Sequence, residues 1–250
     1  MNEDYYIARP AFGFWILCDG LGGHERGALA SRVCAETIAR ELVQGTSLEE
    51  AIQSAHQAVG ALGKNAGDFS VRPGSTVAVL LIKKRAWTVA WVGDTRVWLF
   101  ENRKLWQISR DHTVVRKLID WGVITPEDAR HHPDRHKVTT AVGIVDEPLT
   151  IGVKTGKWNP DQVFLLGTDG MAYRDDPEVL WSILSNTVHP DQIVEELSYA
   201  SLRAGEEDNF TIAAVGRSLN SRFIKNAIEK SRAKWGWRLR TGGMLQPVGP

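Results

Sequence analysis

The stretch Phe12-Gly-Phe-Trp-Ile-Leu-Cys18, followed by Asp19-Gly20, decides the fold. A short apolar run that ends at a turn dipeptide is typical of a buried β-strand. Two further segments repeat this design, with an acid in the turn after an apolar strand: Val92-Gly-Asp94-Thr and Gly167-Thr-Asp169-Gly. A fourth acidic group, Glu206-Glu-Asp208-Asn, stands just before the last predicted strand. The sequence therefore places acids repeatedly at the ends of strands.

Acids at strand ends can meet at one edge of packed sheets, where like charges repel and raise the pKa values of the carboxyl groups. A divalent cation removes that cost. Oxygen ligands without cysteine suit Mg²⁺ or Mn²⁺ better than Zn²⁺. Any single Asp-Gly is more often a plain turn, and that interpretation stays open for each of them alone. The four acids together favour a metal site.

Periodic patterns around these acids predict the other elements. Helices are expected over 28–43, 47–62, 114–121, 177–184 and 190–204, with a short one after Thr125-Pro126. Strands are expected over 76–83, 86–92, 96–100, 104–108, 163–166 and 210–215, the first four as one meander. Short strands interrupted by helix pairs indicate an α+β fold whose sheets are covered by helices on their outer faces.

Composition excludes several classes of protein. The 250 residues carry 30 basic and 30 acidic side chains and are 43% hydrophobic, as in ordinary globular domains. No apolar run approaches the roughly 18 residues of a membrane span. The acidic start, Met1-Asn-Glu-Asp4, does not resemble a basic export signal. With only Cys18 and Cys34 available, no disulfide framework is expected, and we predict a cytoplasmic protein.

The charge is balanced overall but not along the chain. Residues from Arg217 onward include eight basic and one acidic side chain, a net charge of +7, so the preceding residues carry about −7. An acidic body gives no signature of nucleic-acid binding. We predict one domain over 1–217 and a basic helix (221–234) and tail over 218–250. The tail could contact a membrane surface or an acidic partner, or be a solvated helix.

One motif resembles a known family. Asp19-Gly-Leu-Gly-Gly-His24-Glu-Arg-Gly27-Ala-Leu-Ala-Ser31 is similar to the Asp-Gly-Met-Gly-Gly-His signature of bacterial metal-dependent serine/threonine protein phosphatases, the type 2C (PPM) family. Other motifs follow in the family's order: Asn2-Glu-Asp4, Gly74-Ser-Thr76, Val92-Gly-Asp94-Thr-Arg96, Asp111-His-Thr113, Asp169-Gly-Met171 and Asp208-Asn-Phe-Thr211. Residues 122–133 resemble the bacterial flap, which we place over 111–145. The match covers about residues 2–216.

The resemblance implies an α-β-β-α sandwich of two mainly antiparallel sheets flanked by helix pairs. In this family a first strand, with an arginine that binds the substrate phosphate, stands before Asn-Glu-Asp. Here only Met1 precedes Asn2. We therefore expect the sandwich to lack the family's first strand.

The resemblance also implies roles for the acids. Asp19 would bridge two ions, Mn²⁺ or Mg²⁺, with the Gly20 carbonyl as a further ligand. Asp169 and Asp208 would each complete one ion. Glu3 and Asp4 would hold water molecules bound to the metals.

Four other positions have weaker implied roles. Asp94 matches the ligand of a possible third ion, although Tyr173 stands where many members have another acid. His24 is a candidate general acid. Arg130 and Arg135 in the flap could contact phosphate, and a solvated flap surface is the alternative.

The implied function is metal-dependent hydrolysis of phosphoserine and phosphothreonine in proteins by a metal-activated water, opposing a serine/threonine kinase. Two alternatives remain at this point. The first is a catalytically weak or inactive phosphatase-like module that binds metal or phosphoprotein, which the expected lack of the arginine motivates. The second is a metal-dependent hydrolase of small phosphate esters.

Overall fold

The structure, a computed structural model, describes most of the chain outside the C-terminal tail. The described residues are 2–22, 25–65, 72–144, 148–187, 189–204 and 208–216, and the backbone of three short strands within 226–247. The chain divides into two compact units, Met1–Thr95 with Ser109–Gly156 and Arg96–Ile108 with Lys157–Pro250. The domain boundary predicted at residue 217 lies outside the described residues and stays a prediction.

The first unit contains a five-stranded sheet. Its strands are β1 (Asp4–Arg9), β2 (Phe14–Leu21), β3 (Gly74–Lys83), β4 (Ala86–Val92) and β7 (Gly152–Lys157). They lie in the order β1-β2-β3-β4-β7, and the β1–β2, β2–β3 and β3–β4 pairs are antiparallel. The central strands are apolar on both faces, which explains why β2 and β3 are almost entirely buried.

Two long helices, α1 (Glu25–Gln44) and α2 (Leu48–Asn65), cover this sheet. Their apolar stripes form one core with the sheet, in which Ile16, Ile38 and Ile52 are fully buried. The predicted cap of α2 is confirmed. The Ser47 and Glu50 side chains each lie 3.3 Å from the other residue's backbone nitrogen and accept its hydrogen bond.

The flap segment adds two short helices to the first unit, α3 (Val114–Asp120) and α4 (Pro126–Arg130). The Thr113 hydroxyl accepts the Arg116 N–H at 3.2 Å and begins α3. The predicted cap of α4 is confirmed, since Thr125 and Asp128 form a reciprocal capping box before Pro126.

The second unit contains the other five-stranded sheet. Its strands are β5 (Arg96–Glu101), β6 (Lys104–Gln107), β8 (Val163–Gly167), β9 (Phe210–Gly216) and β10 (Asn226–Glu229). The order is β10-β9-β8-β5-β6, and every neighbouring pair is antiparallel. Helices α5 (Pro177–Asn186) and α6 (Pro190–Ala204) pack on this sheet around Leu165, Leu180 and Leu197. Two further strands, β11 (Trp237–Leu239) and β12 (Leu245–Pro247), pair with each other in antiparallel orientation.

The predicted four-stranded meander is wrong. β3 and β4 belong to the first sheet, whereas β5 and β6 belong to the second. The chain leaves the first sheet at Gly93, whose φ of +90° is a conformation that glycine adopts without steric cost. A Cβ on Gly93 would lie 2.7 Å from Thr76 Cβ, so the close approach of the backbone also requires glycine.

Three strands differ from the sequence prediction. β1 and β7 were not predicted. Asn226–Glu229, expected within a helix over 221–234, instead pairs as β10 with the open edge of β9. The backbone N–H and C=O groups of this segment find partners on β9. The local sequence pattern is helical and gives no sign of this distant pairing. The rest of that predicted helix lies outside the described residues.

The α+β class and the two mainly antiparallel sheets with their helix pairs are confirmed. Among the residues that the structure describes, no helix is both long and apolar enough to cross a membrane.

Candidate metal centre

Asp19 lies inside a strand and not, as predicted, in the turn after it. Strand β2 continues through Asp19 and Gly20 to Leu21. In the β-ladder Asp19 is the partner of Asp4 on β1 and of Thr76 on β3. Backbone hydrogen bonds join β2 to β1 on one side and to β3 on the other. The position of the half-buried Asp19 is therefore fixed from two sides.

Two glycines bring the start of α1 against this part of β2. A Cβ on Gly20 would overlap the carbonyl oxygen of Gly27, and a Cβ on Gly27 would overlap the Glu3 carboxylate. The Gly20 N–H donates to the Glu3 carbonyl at 3.1 Å. Asp4 is 6% exposed. The backbones of Glu3, Asp4 and Asp19 therefore lie side by side in the first unit, and the roles of these residues stay predictions.

Ser75 and the end of the flap support Asp19 from the β3 side. The buried Ser75 hydroxyl lies 3.1 Å from the Asp19 carbonyl oxygen and 2.7 Å from that of Thr76, and it can donate to one of them at a time. The Ser75 backbone exchanges two hydrogen bonds with Val142, at 2.9 and 2.8 Å. The next residue, Gly143, donates its N–H to His56 Nδ1 at 3.0 Å, and burial lowers the pKa of this imidazole.

Asp94 lies in a buried turn that also belongs to the first unit. It is 4% exposed. The next residue, Thr95, forms a 2.6 Å hydroxyl–hydroxyl hydrogen bond with Thr76, the ladder partner of Asp19. The start of the flap holds the turn, because the His112 N–H donates to the Gly93 carbonyl at 3.0 Å. Burial lowers the pKa of His112, and the charge of Asp111 acts in the opposite direction.

The second unit brings Asp169 and Asp208 together. Asp169 follows β8 and Asp208 precedes β9, and these strands are antiparallel neighbours. The Thr168 N–H donates to the Thr211 carbonyl at 3.1 Å, and the Thr211 N–H donates to Thr168 Oγ1 at 2.8 Å. A Cβ on Gly170 would overlap the Asn209 carbonyl oxygen. Asp169 is half-buried and Asp208 is exposed.

Sequence reasoning assigned no role to two residues that contact the segment after Asp169, although one of them, Arg96, belongs to a quoted motif. Ser201 on α6 accepts the Ala172 N–H at 2.9 Å. Arg96 donates to the Arg174 carbonyl and to Asp175, both at 2.7 Å. Two signals were available in the sequence: a serine within the apolar stripe of α6, and an arginine that begins an otherwise apolar strand.

Two further predicted residues, Arg130 and Arg135, lie on the exposed surface of the flap, and a third, His24, lies outside the described residues. Arg130 is exposed on α4 and lies 3.6 Å from Glu127 of its own helix. Arg135 is exposed in the flap.

The donor chemistry fits a hard cation. The predicted ligands are carboxylates and one backbone carbonyl, which are the oxygen donors that Mg²⁺ and Mn²⁺ prefer, and both cysteines are buried free thiols in the core. Within the described residues of either unit, no three His, Cys, Asp or Glu side chains are grouped closely enough to hold a metal ion.

Comparison with known proteins places the chain among phosphatases. The family model "Protein phosphatase 2C" matches residues 1–209. Protein phosphatase PhpP of Streptococcus pneumoniae is 27% identical over 230 residues, covering 86% of this chain and 91% of PhpP. The solved structure of PppA, a regulatory component of the type VI secretion system (T6SS) in Pseudomonas aeruginosa, has a TM-score of 0.74 at 30% identity, covering 86% of this chain and 91% of PppA.

A structure of the PstP catalytic domain in complex with two manganese ions has a TM-score of 0.71 at 26% identity, covering 86% of this chain and 90% of that domain. The family model spans residues 1–209 of the 250, which is more than half of the chain. This chain belongs to the protein phosphatase 2C family.

Proposed function

We propose that this protein hydrolyses phosphoserine and phosphothreonine in proteins, using two divalent cations, Mn²⁺ or Mg²⁺. The observation that carries the proposal is the pairing of Asp4 with Asp19 between β1 and β2, next to the backbone hydrogen bond from the Gly20 N–H to the Glu3 carbonyl. A divalent cation bound beside these strands would neutralise the charge of the carboxylates that hold it. Membership of the phosphatase 2C family supports the same chemistry.

The residues proposed to hold the two ions are those that the family resemblance implies. Asp19, Asp169 and Asp208 would hold the ions through their carboxylates, and Gly20 through its carbonyl oxygen. Glu3 and Asp4 would accept hydrogen bonds from water molecules and orient them. The bound ions would lower the pKa of a water and neutralise charge on the phosphoryl oxygens.

A side chain of this protein would then protonate the leaving group. Water would displace the serine or threonine oxygen in one step, so no side chain needs to act as nucleophile. His24 is the proposed general acid that protonates the departing oxygen. We also propose Arg130 and Arg135 as weak contacts for the phosphate.

Several finer points belong to the same proposal. Asp94 is a candidate ligand of a third ion. The enzyme would act in the cytoplasm on substrates of a serine/threonine kinase, and the basic residues beyond 217 would contact an acidic partner or an anionic membrane surface.

The test measures hydrolysis of p-nitrophenyl phosphate and of a phosphothreonine peptide with and without Mn²⁺, and Mn²⁺ binding by calorimetry. We expect Asp19→Ala to lose more than about 100-fold in Mn²⁺-dependent rate, since even outer contacts to a metal contribute about 10–100-fold. Asp161→Asn, an exposed aspartate in the turn before β8, is the matched control and should retain the wild-type rate.

Two results would overturn the proposal. If wild type binds Mn²⁺ but shows no rate above Asp19→Ala, the protein is a regulatory or binding module. If it cleaves p-nitrophenyl phosphate but not the phosphopeptide, it is a hydrolase of small phosphate esters.

A further inference from the structure

We infer that Arg96 and Ser201 are positioning residues that hold the segment 168–176, here named the Asp169 loop, in the conformation that presents Asp169 to a metal ion. The inference rests on the proposed function, because it takes Asp169 as a ligand. Neither residue is part of the proposed ligand set, and each acts on the loop from a different element of the second unit.

Ser201 holds the loop from helix α6. Its hydroxyl accepts the Ala172 N–H at 2.9 Å and donates to the Leu197 carbonyl, one helical turn earlier, at 2.8 Å. Ser201 is 2% exposed, so water cannot readily replace its hydroxyl as the partner of Ala172. A buried N–H without an acceptor is strongly disfavoured, so the loop is tied to α6 at this point.

Arg96 holds the other side of the loop from strand β5. One of its terminal nitrogens, Nη1, lies 2.7 Å from both the Arg174 carbonyl oxygen and an Asp175 carboxylate oxygen. Its side chain is only 13% exposed, whereas that of Asp175 is 58% exposed. The backbone of Arg96 is also the ladder partner of Gly167, two residues before Asp169. A single residue of β5 therefore contacts the residue just before the Asp169 loop and two residues near the end of the loop.

Tyr173 lies between these two contacts in an unfavourable conformation. Its φ is +62°, in the left-handed region that large side chains avoid. The side chain is 43% exposed, so core packing does not hold it there. Such conformations persist when the surrounding structure over-determines them. Here Ser201 fixes the residue before Tyr173, and Arg96 fixes the two residues after it.

The consequence for Asp169 follows from where the loop is attached. The start of the loop is tied to β9 through Thr168 and Thr211, and this attachment does not depend on Arg96 or Ser201. Loss of either positioning residue would let Tyr173 relax and would move the segment after Asp169. We therefore expect weaker metal binding from an otherwise folded protein.

The test compares Arg96→Ala and Ser201→Ala with wild type in the full chain. Calorimetry gives the Mn²⁺ dissociation constant, and the phosphothreonine peptide assay gives kcat at saturating Mn²⁺. We expect Mn²⁺ affinity to fall by about 10–100-fold, the range found for outer contacts to a metal, with a much smaller change in kcat. Arg96→Lys, which keeps the charge, should recover part of the affinity.

A matched control lies on the same helix as Ser201. Ser198 is also buried, at 8% exposure, but its hydroxyl has no hydrogen-bond partner among the described residues. Ser198→Ala should bind Mn²⁺ like wild type. In metal-free protein, the amide hydrogen of Ala172 should exchange faster in Ser201→Ala but not in Ser198→Ala.

A second pair of variants tests the role of Tyr173. Glycine adopts a φ of +62° without steric cost, so Tyr173→Gly should restore part of the Mn²⁺ affinity lost in Arg96→Ala. Asp175→Asn, at an exposed position that cannot disrupt the core, should weaken Mn²⁺ binding by a few-fold and serves if Arg96→Ala does not fold.

The inference is overturned if folded Arg96→Ala and Ser201→Ala bind Mn²⁺ with wild-type affinity, or if Asp175→Asn does so when Arg96→Ala is not folded. Wild-type protein that neither binds Mn²⁺ nor hydrolyses phosphopeptide contradicts the proposed function instead. The two failures are therefore distinguishable.

Discussion

Asp19 and Asp169 have similar local sequences, an apolar run that leads to Asp-Gly, but the structure holds them by different means. Asp19 lies within β2, between β1 and β3, where backbone hydrogen bonds fix it on both sides. Asp169 lies in a loop after β8, and the side chains of Thr168, Ser201 and Arg96 hold that loop.

This difference determines what each position tolerates. The position of a residue in a β-ladder is set by the pairing of the whole sheet, so a change there disturbs folding. A residue in a loop held by single side chains can lose its place while the sheet remains intact. We therefore expect changes around Asp19 to affect stability most, and changes around Asp169 to affect metal binding at a smaller cost in stability.

The largest expected effect is from Gly20→Ala. The added Cβ would overlap the Gly27 carbonyl oxygen and lie 2.9 Å from that of Glu3, and neither backbone can move freely. We expect the free energy of unfolding to fall by about 3 kcal/mol, the upper end for overpacking. Urea unfolding followed by circular dichroism measures it.

The control for this substitution is Gly63→Ala in α2, where the nearest atom to the new Cβ would be Pro73 Cδ at 3.4 Å. Alanine is the better helix former, so this variant should gain about 0.5–1 kcal/mol. Equal stability of Gly20→Ala and wild type would contradict the expectation that changes around Asp19 affect stability most.

The next effect is from Thr168→Val at the base of the Asp169 loop. Valine keeps the shape but leaves the buried Thr211 N–H without the acceptor that now lies at 2.8 Å. We expect a loss of about 2 kcal/mol in urea unfolding, within the range for an unsatisfied buried donor. Thr155→Val, at an exposed position on β7, should change stability by less than about 0.5 kcal/mol. A loss as large at Thr155 would show that the hydroxyl contact is not the cause.

The smallest expected effect is a pH dependence of the free energy of unfolding that arises from His56, the acceptor of the Gly143 N–H. Burial lowers the pKa of His56 in the folded protein. The unfolded chain therefore takes up this proton more readily. The free energy of unfolding should decrease as pH falls below about 6.5, the ordinary value for histidine, and stop decreasing below the folded pKa.

His56→Gln removes the titration and leaves an amide oxygen as an acceptor for Gly143. Urea unfolding at pH 7.5, 6.5 and 5.5 should show a shallower decrease for this variant than for wild type. Parallel profiles for the two proteins would contradict the assignment to His56.

Elements defined by local interactions were predictable. The starts of α2 and α4 follow from capping residues three positions apart. These residues contact each other without help from distant parts of the chain. Strand β4 and helix α6 have the predicted bounds, because hydrophobic period and turn residues are local signals.

Strand β7 shows why other elements were missed. It contains Gly152 and Gly156, which weaken any strand pattern in the sequence. A Cβ at these glycines would overlap the rings of Trp91 and Trp87 respectively, so glycine is required by contacts with residues far along the chain. Only the assembled sheet reveals that reason.

The candidate site also has a part that the sequence indicated and a part that it did not. The sequence indicated Asp19, Asp169 and Asp208 through their motifs, and their roles as metal ligands remain predictions. It did not indicate that the chain would bring Ser201 to Ala172, or Arg96 to Arg174 and Asp175, because these pairs lie 29, 78 and 79 residues apart.

By itself, the sequence determined the α+β class, most helices and strands, the caps and the family, since each depends on residue order or on neighbours within a few positions. The tertiary structure alone decided that β4 and β5 enter different sheets, that β1 and β7 complete the first, and which side chains hold each acid. These features depend on backbone pairing and burial between distant segments, and no local pattern encodes such contacts.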